Sequence, residues 1–496
     1  MTGVILSSSE VRQIENAAFA DGVENEALMD LAGAGIASHI LREEAWPGVC
    51  IVYLGKGNNG GDAIVAASHL EKAGWEIRLR MLVDEESLNP LPKKKLHSLA
   101  AEFTRVANHE KCALEPLTGL PLIVLDGLLG IGSHGGLNAE VRKVTREINE
   151  LRSATAARVY AVDLPTGLAD EGVDPDTVVA DSTVTIGFAK EALIQDGAAN
   201  YVGRISLVEL DDLTRRAPGD PGRAFISLPS NLCSLVPRRN FDSHKGNYGR
   251  IGIVAGSRGF AGAGVLCAEA CARSGAGLIY AFVPEDIYEI AATKMPPEIM
   301  VKPVPDLRTV LDQRLDAVGI GPGIGIESPG AVLELISRFG GPMVVDADAL
   351  SLLAEKPTLL HECAGPRLLT PHPGEMARLW PVKGKSRSQI VREFTSEYPV
   401  SLLLKGARTL VGARNMPLAY NSSGTPGQAT GGSGDVLTGA CAALLGRGIS
   451  AYDAGRLGAW LCGKASELAL DEESEDSMLP SDTIKHLGQA FRALAG

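Results

Sequence analysis

Two α/β domains, each a three-layer αβα sandwich, are predicted from three observations. Short apolar runs rich in β-branched residues alternate with helical patterns along the whole chain, the mark of parallel sheets flanked by helices. Glycine is in excess, 57 of 496 residues, without low complexity, which fits many tight strand-to-helix turns. The stretch Arg215-Arg216-Ala217-Pro218-Gly219-Asp220-Pro221-Gly222 breaks the alternation with two prolines and two glycines, which neither regular element can continue. A chain of this length exceeds a single core. The expected division is a first domain over 1–215, a linker over 216–229 and a second domain over 230–496.

Bulk composition narrows the function classes. Apolar residues make up 45% and charged residues 22%, as in soluble globular proteins. The net charge of −13, with basic and acidic residues interspersed, argues against a nucleic-acid partner, which needs a basic face. It leaves phosphorylated small molecules open, because backbone N–H groups hold phosphate without net charge. Eight cysteines with no C-x-x-C pair suit a reducing compartment, and Cys267 and Cys271, one helical turn apart, read as packing residues. Neither a signal segment nor an apolar run of about 20 residues is seen, so a cytoplasmic protein without a membrane span is expected. A homo-oligomer is also expected.

In the first half a helical pattern covers Val11–Leu41, where Ala32-Gly33 and Ala34-Gly35 permit close packing. Clear strands follow at Ile51–Leu54, Leu122–Leu125 and Val159–Val162, each ending in a glycine turn or an aspartate. The first runs into Gly55-Lys56-Gly57-Asn58-Asn59-Gly60-Gly61-Asp62, with a helix from about Ala63 to Ala73. Strand, glycine turn and helix aim free N–H groups at an anion. Gly55, Gly57 and Gly60 also satisfy G-x-G-x-x-G, so a dehydrogenase reading stands beside it. Asp126 opens a second glycine-rich loop through Gly136, and Asp163 opens Leu164-Pro165-Thr166-Gly167-Leu168. Strand carboxyl ends line the ligand crevice of an open α/β sheet, so the three turns can converge.

GKGNNGGD, VLDGLLGIG, VDLPTGL and ADSTVTIGFAK together resemble the NAD(P)H-hydrate epimerase family over roughly residues 10–212. The resemblance implies a Rossmann-like fold and a potassium ion on Asn59, Asp126 and Thr166. It implies substrate contacts from Asn58, Asn59, Gly60, Gly61, Asp62 and Asp163, and from the loop Gly130, Ile131, Gly132, Ser133, His134, Gly135 and Gly136. Thr166 stands where serine is commoner, Ala63 replaces a usual glycine, and Ser133-His134-Gly135-Gly136 is an unusual form of that loop. In the hydrate, Asp163 is the expected catalytic carboxylate.

After the linker, buried strands are expected at Arg250–Ala255, Ala317–Ile320, Met343–Val345, Leu368–Leu369 and Ser401–Leu404. Gly431-Gly432-Ser433-Gly434-Asp435 precedes a helix over Val436–Leu445, which sets an anion hole beside a candidate base. That element resembles ribokinase-like enzymes. With HKGNYGR (244–250), GSRGFAGA (256–263), GPGIG (321–325), DADAL (346–350), TPHPGE (370–375) and KGART (405–409) in this order, the second half resembles the ADP- or ATP-dependent NAD(P)H-hydrate dehydratase family. The resemblance implies a ribokinase-like fold, hydrate contacts from Ala263, Gly323, His372 and Asp435, and nucleotide contacts from Lys405, Gly406, Ala407, Arg408, Thr409 and Gly434. Asp435 would be the base and magnesium the counterion of the phosphates. Ser433, Phe260 and Gly264 depart from the usual threonine, aromatic hydroxyl and proline. Such a fusion implies NADH and NADPH hydrates and ADP or ATP as substrates. A ribokinase-like vitamin-precursor kinase, a NAD-dependent dehydrogenase and a binding-only first domain remain as alternatives.

Overall fold

The computed structural model describes residues 2–97, 99, 104–106 (backbone alone), 120–132 and 136–495. They form two compact units, Met1–Asp220 and Pro221–Gly496. The boundary lies inside the Pro/Gly stretch. The segment 216–229, expected as linker, carries the strand Phe225–Ser227, which pairs in parallel with Ala419–Asn421 as the edge of the second sheet. Its three residues are too few to show a period, and only burial on the sheet marks them as strand.

The first unit is built on seven parallel strands. Their order is Arg204–Val208, Ser182–Ile186, Arg158–Val162, Leu122–Gly127, Val49–Leu54, Glu76–Met81 and Thr104–Val106. Alternate side chains of Val49–Leu54 serve opposite faces. Cys50, Val52 and Leu54 pack with the helices Asn25–Glu43 and Asn58–Lys72, whereas Val49, Ile51 and Tyr53 pack with Ala139–Ala154. Both faces are covered, hence the continuous apolar run. The chain winds outward from Val49–Leu54 on one side, then returns to its other side at Leu122–Gly127. The switch point therefore falls between the Gly55 turn and Asp126.

The predicted helix over Val11–Leu41 is two helices, Ser8–Ala20 and Asn25–Glu43, separated at Gly22, whose φ of +92° continues no helix. Gly33 and Gly35 do permit close packing, since a Cβ on either would collide with Val65 or Val208 respectively. The helix expected from Ala63 begins at Asn58, with Gly57 as its N-cap. Tertiary packing overrides the low helix propensity of Gly60-Gly61 here. A Cβ on Gly60 would strike Gly55 O, and one on Gly61 would meet Met29 Sδ at 2.6 Å. Glu76–Met81 hides its strand character behind alternating charges; Arg80 is buried against Glu147 at 3.1 Å.

The second unit has a ten-stranded sheet, parallel except for Leu410–Ala413. The switch point lies between Arg250–Val254 and Ala317–Ile320. The helix Ser433–Gly446 is buried continuously from Val436 to Leu445, the signature of a core helix rather than an amphipathic one. It lies so close to Ala261–Arg273 that a Cβ on Gly439 would overlap Cys267 O. Cys267 and Cys271 are buried packing residues. No helix among the described residues is long and apolar enough to cross a membrane.

Gly33→Val should destabilise the first unit by about 1–3 kcal/mol, the usual cost of overpacking, in chemical denaturation. Gly22→Asn, at a left-handed position with nothing within 4 Å of its Cβ site, should cost far less.

Candidate functional site

At the first switch point, glycines bring two loops together. Gly55 donates its N–H to Gly127 O at 3.1 Å, and a Cβ on Gly55 would overlap Leu128 O. Asp126 ends its strand fully buried. It accepts hydrogen bonds from Thr166 N–H and Thr166 Oγ1, both at 2.8 Å, and from Leu128 N–H at 3.2 Å. Thr166 Oγ1 accepts in turn from Leu129 N–H at 3.1 Å. Burial pushes the Asp126 carboxyl up to about 6, against those hydrogen bonds. Asn59 points the same way. Its Oδ1 is 3.0 Å from the place a Cβ would take on Gly130, and its buried Nδ2 has no hydrogen-bond partner.

Asp163, at the next strand end, adopts a φ of +65°, which costs a non-glycine residue of order 1–2 kcal/mol. The turn aims its carboxylate inward, where Oδ1 accepts from Lys190 Nζ, from Ile186 N–H at 3.0 Å and from Thr185 Oγ1 at 3.3 Å. Lys190 is fully buried and also donates to Ile186 O at 2.7 Å. Two further acids feel this pair. Asp62 is held well above the usual carboxylate range by burial, reinforced by the negative charges of Asp163 and Glu15 and opposed by Lys190. Glu15 is raised by burial, with Lys190 and Arg12 opposing and Asp163 reinforcing. Arg12 donates to Ile131 O and so ties the first helix to the second glycine loop.

Asn58, Gly60, Gly61, Asp62, Gly130, Ile131, Gly132 and Gly136 lie in these two loops or at the helix start they frame. Ser133, His134 and Gly135 lie outside the described residues. Lys190 and Glu15 were missed as site residues. Lys190 closes the ADSTVTIGFAK motif, whose pattern marks a strand end but not a charge turned inward.

In the second unit the strand ends hold a comparable arrangement. Asp346 is buried; its Oδ1 accepts from Lys405 Nζ at 2.7 Å and its Oδ2 from Thr438 Oγ1 at 2.8 Å. Lys405 lies 3.9 Å from Glu375 as well. The residue after Asp346, Ala347, has a φ of +49°. Gly432, at φ +103°, caps the helix that carries Asp435 in its first turn. A Cβ on Gly434 would sit 3.3 Å from Lys405 Nζ, so the helix start lies close against that lysine. Burial pushes Asp435 up to about 7, helped by Asp346 and Asp348 and opposed by Lys405.

Gly323, at φ +59°, lies against Ala263: a Cβ there would come within 3.2 Å of Ala263 Cβ. His372 caps the helix Pro373–Leu379, its Nδ1 accepting from Gly374 N–H at 3.0 Å and Glu375 N–H at 3.3 Å. Its Nε2 lies 3.5 Å from Glu375 Oε1, and the side chain is half-exposed. Gly406, Ala407, Arg408 and Thr409 form the connection between Ser401–Leu404 and the antiparallel Leu410–Ala413. Arg387 braces it through Ala407 O at 2.7 Å. Arg408, at φ +57°, is pushed down to about 10 by burial, with Glu467 opposing. Asp346, Glu375 and Thr438 were not foreseen as site residues, although the first two lie in motifs legible in the sequence.

The chain matches the NAD(P)H-hydrate dehydratase family over residues 251–489 and the family described as YjeF-related protein N-terminus over residues 25–192. It is 32% identical to the bifunctional NAD(P)H-hydrate repair enzyme Nnr of Moorella thermoacetica, across 99% of this chain and 97% of that one. The chain belongs to the bifunctional NAD(P)H-hydrate repair enzyme family. The Escherichia coli member is 33% identical across 92% of this chain and 87% of its own. A hypothetical protein of Streptococcus mutans superposes on 55% of this chain, covering 100% of its own, at 22% identity and a TM-score of 0.50. Both units are α/β, as expected, and the likeness to the Streptococcus mutans protein is one of fold.

Asp435 binds its proton more tightly folded than unfolded, so its burial costs stability above about pH 7 and nothing below about pH 4. Asp435→Asn should therefore stabilise the second unit at pH 8, by on the order of 1–3 kcal/mol, and leave it unchanged at pH 4 in denaturant titrations.

Proposed function

We propose that this chain repairs hydrated NADH and NADPH, the first unit epimerising the hydrate and the second dehydrating its S form with ADP or ATP. The observation that carries this reading is Asp435, a carboxyl poised near neutrality at a glycine-lined helix start, in a chain aligned end to end with bifunctional repair enzymes.

In the hydrate, the hydroxyl-bearing ring carbon adjoins the ring nitrogen, whose lone pair assists departure of the oxygen. Asp62, which keeps its proton to higher pH than an ordinary carboxyl, supplies a proton to that oxygen, and water leaves. The planar cation forms beside the Asp163 carboxylate, which stabilises it and takes a proton from the water that recaptures it from either face. Asn58, Asn59, Gly60, Gly61 and the Gly130–Gly136 loop bind the remainder of the substrate.

Asn59, Asp126 and Thr166 fit a potassium ion: the donors are hard oxygens, and a half-turn of the Asn59 amide would aim its oxygen where Nδ2 now lacks a partner. The ion would supply the positive charge that the buried Asp126 draws from no side chain among its hydrogen-bond partners. Magnesium has no comparable cradle. No cluster of three or more His, Cys, Asp or Glu able to hold a metal occurs among the described residues, so it is assigned only to the nucleotide phosphates.

In the second unit Asp435 takes the proton of the hydrate hydroxyl as the terminal phosphoryl group moves from the nucleotide to that oxygen. N–H groups at the Gly432–Gly434 turn stabilise the transferring group. That transfer leaves AMP or ADP; the ring nitrogen's lone pair then expels phosphate as C–O breaks, and the neighbouring ring carbon gives up a proton to the departing phosphate, which restores the dihydropyridine double bond. Ala263, Gly323 and His372 face the hydrate, and Lys405–Thr409 with Gly434 face the nucleotide. The reading includes a cytoplasmic homo-oligomer.

An equilibrated mixture of NADH-hydrate epimers, given potassium, magnesium and ADP or ATP, should recover its NADH absorbance completely and only with nucleotide. Recovery that stops at one epimer would remove the first unit's activity; none with either nucleotide would overturn the reading. Asp163→Asn should abolish epimer exchange alone, and Asp435→Asn dehydration alone. Dehydration kcat/KM should fall about tenfold per pH unit below about pH 7 as the base takes up its proton.

A further inference from the structure

The motif His244–Arg250 is absorbed by neither site. It lies at the amino ends of the second sheet's strands, directly before Arg250–Val254, whereas the nucleotide crevice lies at their carboxyl ends. The helix Ser433–Gly446 spans the two ends, with Asp435 in its first turn and Arg447 capping its last, about 20 Å apart at 1.5 Å per residue.

Around this end of the unit Arg238, Arg239, Lys245 and Arg447 gather, while Arg250 there is paired with an acid, Asp316 at 3.9 Å. A Cβ on Gly275, at φ +91°, would lie 2.9 Å from Arg239 Nη2 and 3.3 Å from Arg447 Nη1, so two guanidinium groups converge on one point. Arg239 is stacked on Tyr248, 3.7 Å from the ring centroid, and donates to Gly275 O at 2.9 Å. Arg447 loses proton affinity to burial and to the charge of Arg239. No ion pair holds Arg238, Arg239, Lys245 or Arg447 among the described residues. Asp242, the one acid lining these cavities among the described residues, makes none either. The arginines and Tyr248 border a cavity of about 550 Å³ lined by Arg238 and Arg447, next to a second of about 520 Å³ lined by Arg239, Lys245 and Phe241. Phe241 is fully exposed at its edge.

Converging guanidinium groups that lack a carboxylate bind phosphate oxygens with geometric specificity. An exposed aromatic ring beside them stacks a purine. We propose that this basic cavity is a second binding site for a nucleoside di- or triphosphate, with the phosphate chain on Arg238, Arg239 and Arg447 and the base on Phe241. At this spacing the guanidinium groups of Arg239 and Arg447 repel one another, and a polyphosphate neutralises them. This goes beyond the repair reaction, because none of these residues belongs to either catalytic crevice.

The test is equilibrium binding of ADP to the full chain by titration calorimetry, alongside Arg238→Ala/Arg447→Ala and, as a variant confined to exposed positions, Arg238→Ala/Lys245→Ala. The expected result is one equivalent of ADP fewer in the first variant and at least tenfold weaker binding at that site in the second. Both should keep the unmodified kcat/KM on the hydrate, which also certifies their fold. Unchanged stoichiometry and affinity in both variants would overturn the proposal, whatever the repair assay shows. Phe241→Ala should weaken ADP severalfold while inorganic tripolyphosphate binds as before; equal effects on the two probes would overturn the assignment of a nucleoside.

Discussion

A buried aspartate held by one lysine organises the strand-carboxyl end of each unit. Asp163 with Lys190, and Asp346 with Lys405, are placed just past a strand's carboxyl end, in turns that demand a left-handed residue. Taking either carboxylate out of water alone would cost several kcal/mol. The lysine, drawn from an element much later in the chain, makes that burial tolerable. It also sets the potential around the pair: Asp62 and Asp435, close to these pairs, feel the aspartate's charge raise them and the lysine's pull them down. Loss of the lysine would leave an uncompensated buried charge and shift the proton affinity of the neighbouring acid at the same time.

Close packing around glycine serves the same end. Gly55 and Gly60 let the first loop approach the Leu128 carbonyl and its own turn, and Gly434 lets a helix start lie on Lys405. At Gly55 and Gly60 a methyl group would occupy space that a backbone carbonyl holds. The parallel sheets supply the frame. Their switch points separate neighbouring loops widely enough for a ligand, and the helices on both faces cover the central strands.

Much of this was legible from residue order. Strands such as Ala317–Ile320, Met343–Val345 and Ser401–Leu404 appear as read, because continuous apolar runs bounded by glycine or aspartate have little other use. Asp126, Asp163 and Asp435 were found because an acid at a strand end or helix start is a local feature. Glu76–Met81 and Phe225–Ser227 were not, the first disguised by a buried Arg80–Glu147 pair and the second by its brevity. Both helix starts at the glycine loops lie earlier than propensity suggests, since tertiary contacts there outweigh the preference of glycine for coil.

Pattern and motif alone determined the two-unit α/β plan, the family and the presence of acids at the strand ends, because each is written in short-range order. Only the tertiary structure decided which charges meet. Lys190 reaches Asp163 from 27 residues away, Lys405 reaches Asp346 from 59, and Arg239 faces Arg447 above Gly275. Charge pairing depends on distances of a few ångströms and on exclusion of water, and neither is a property of neighbouring positions in a chain.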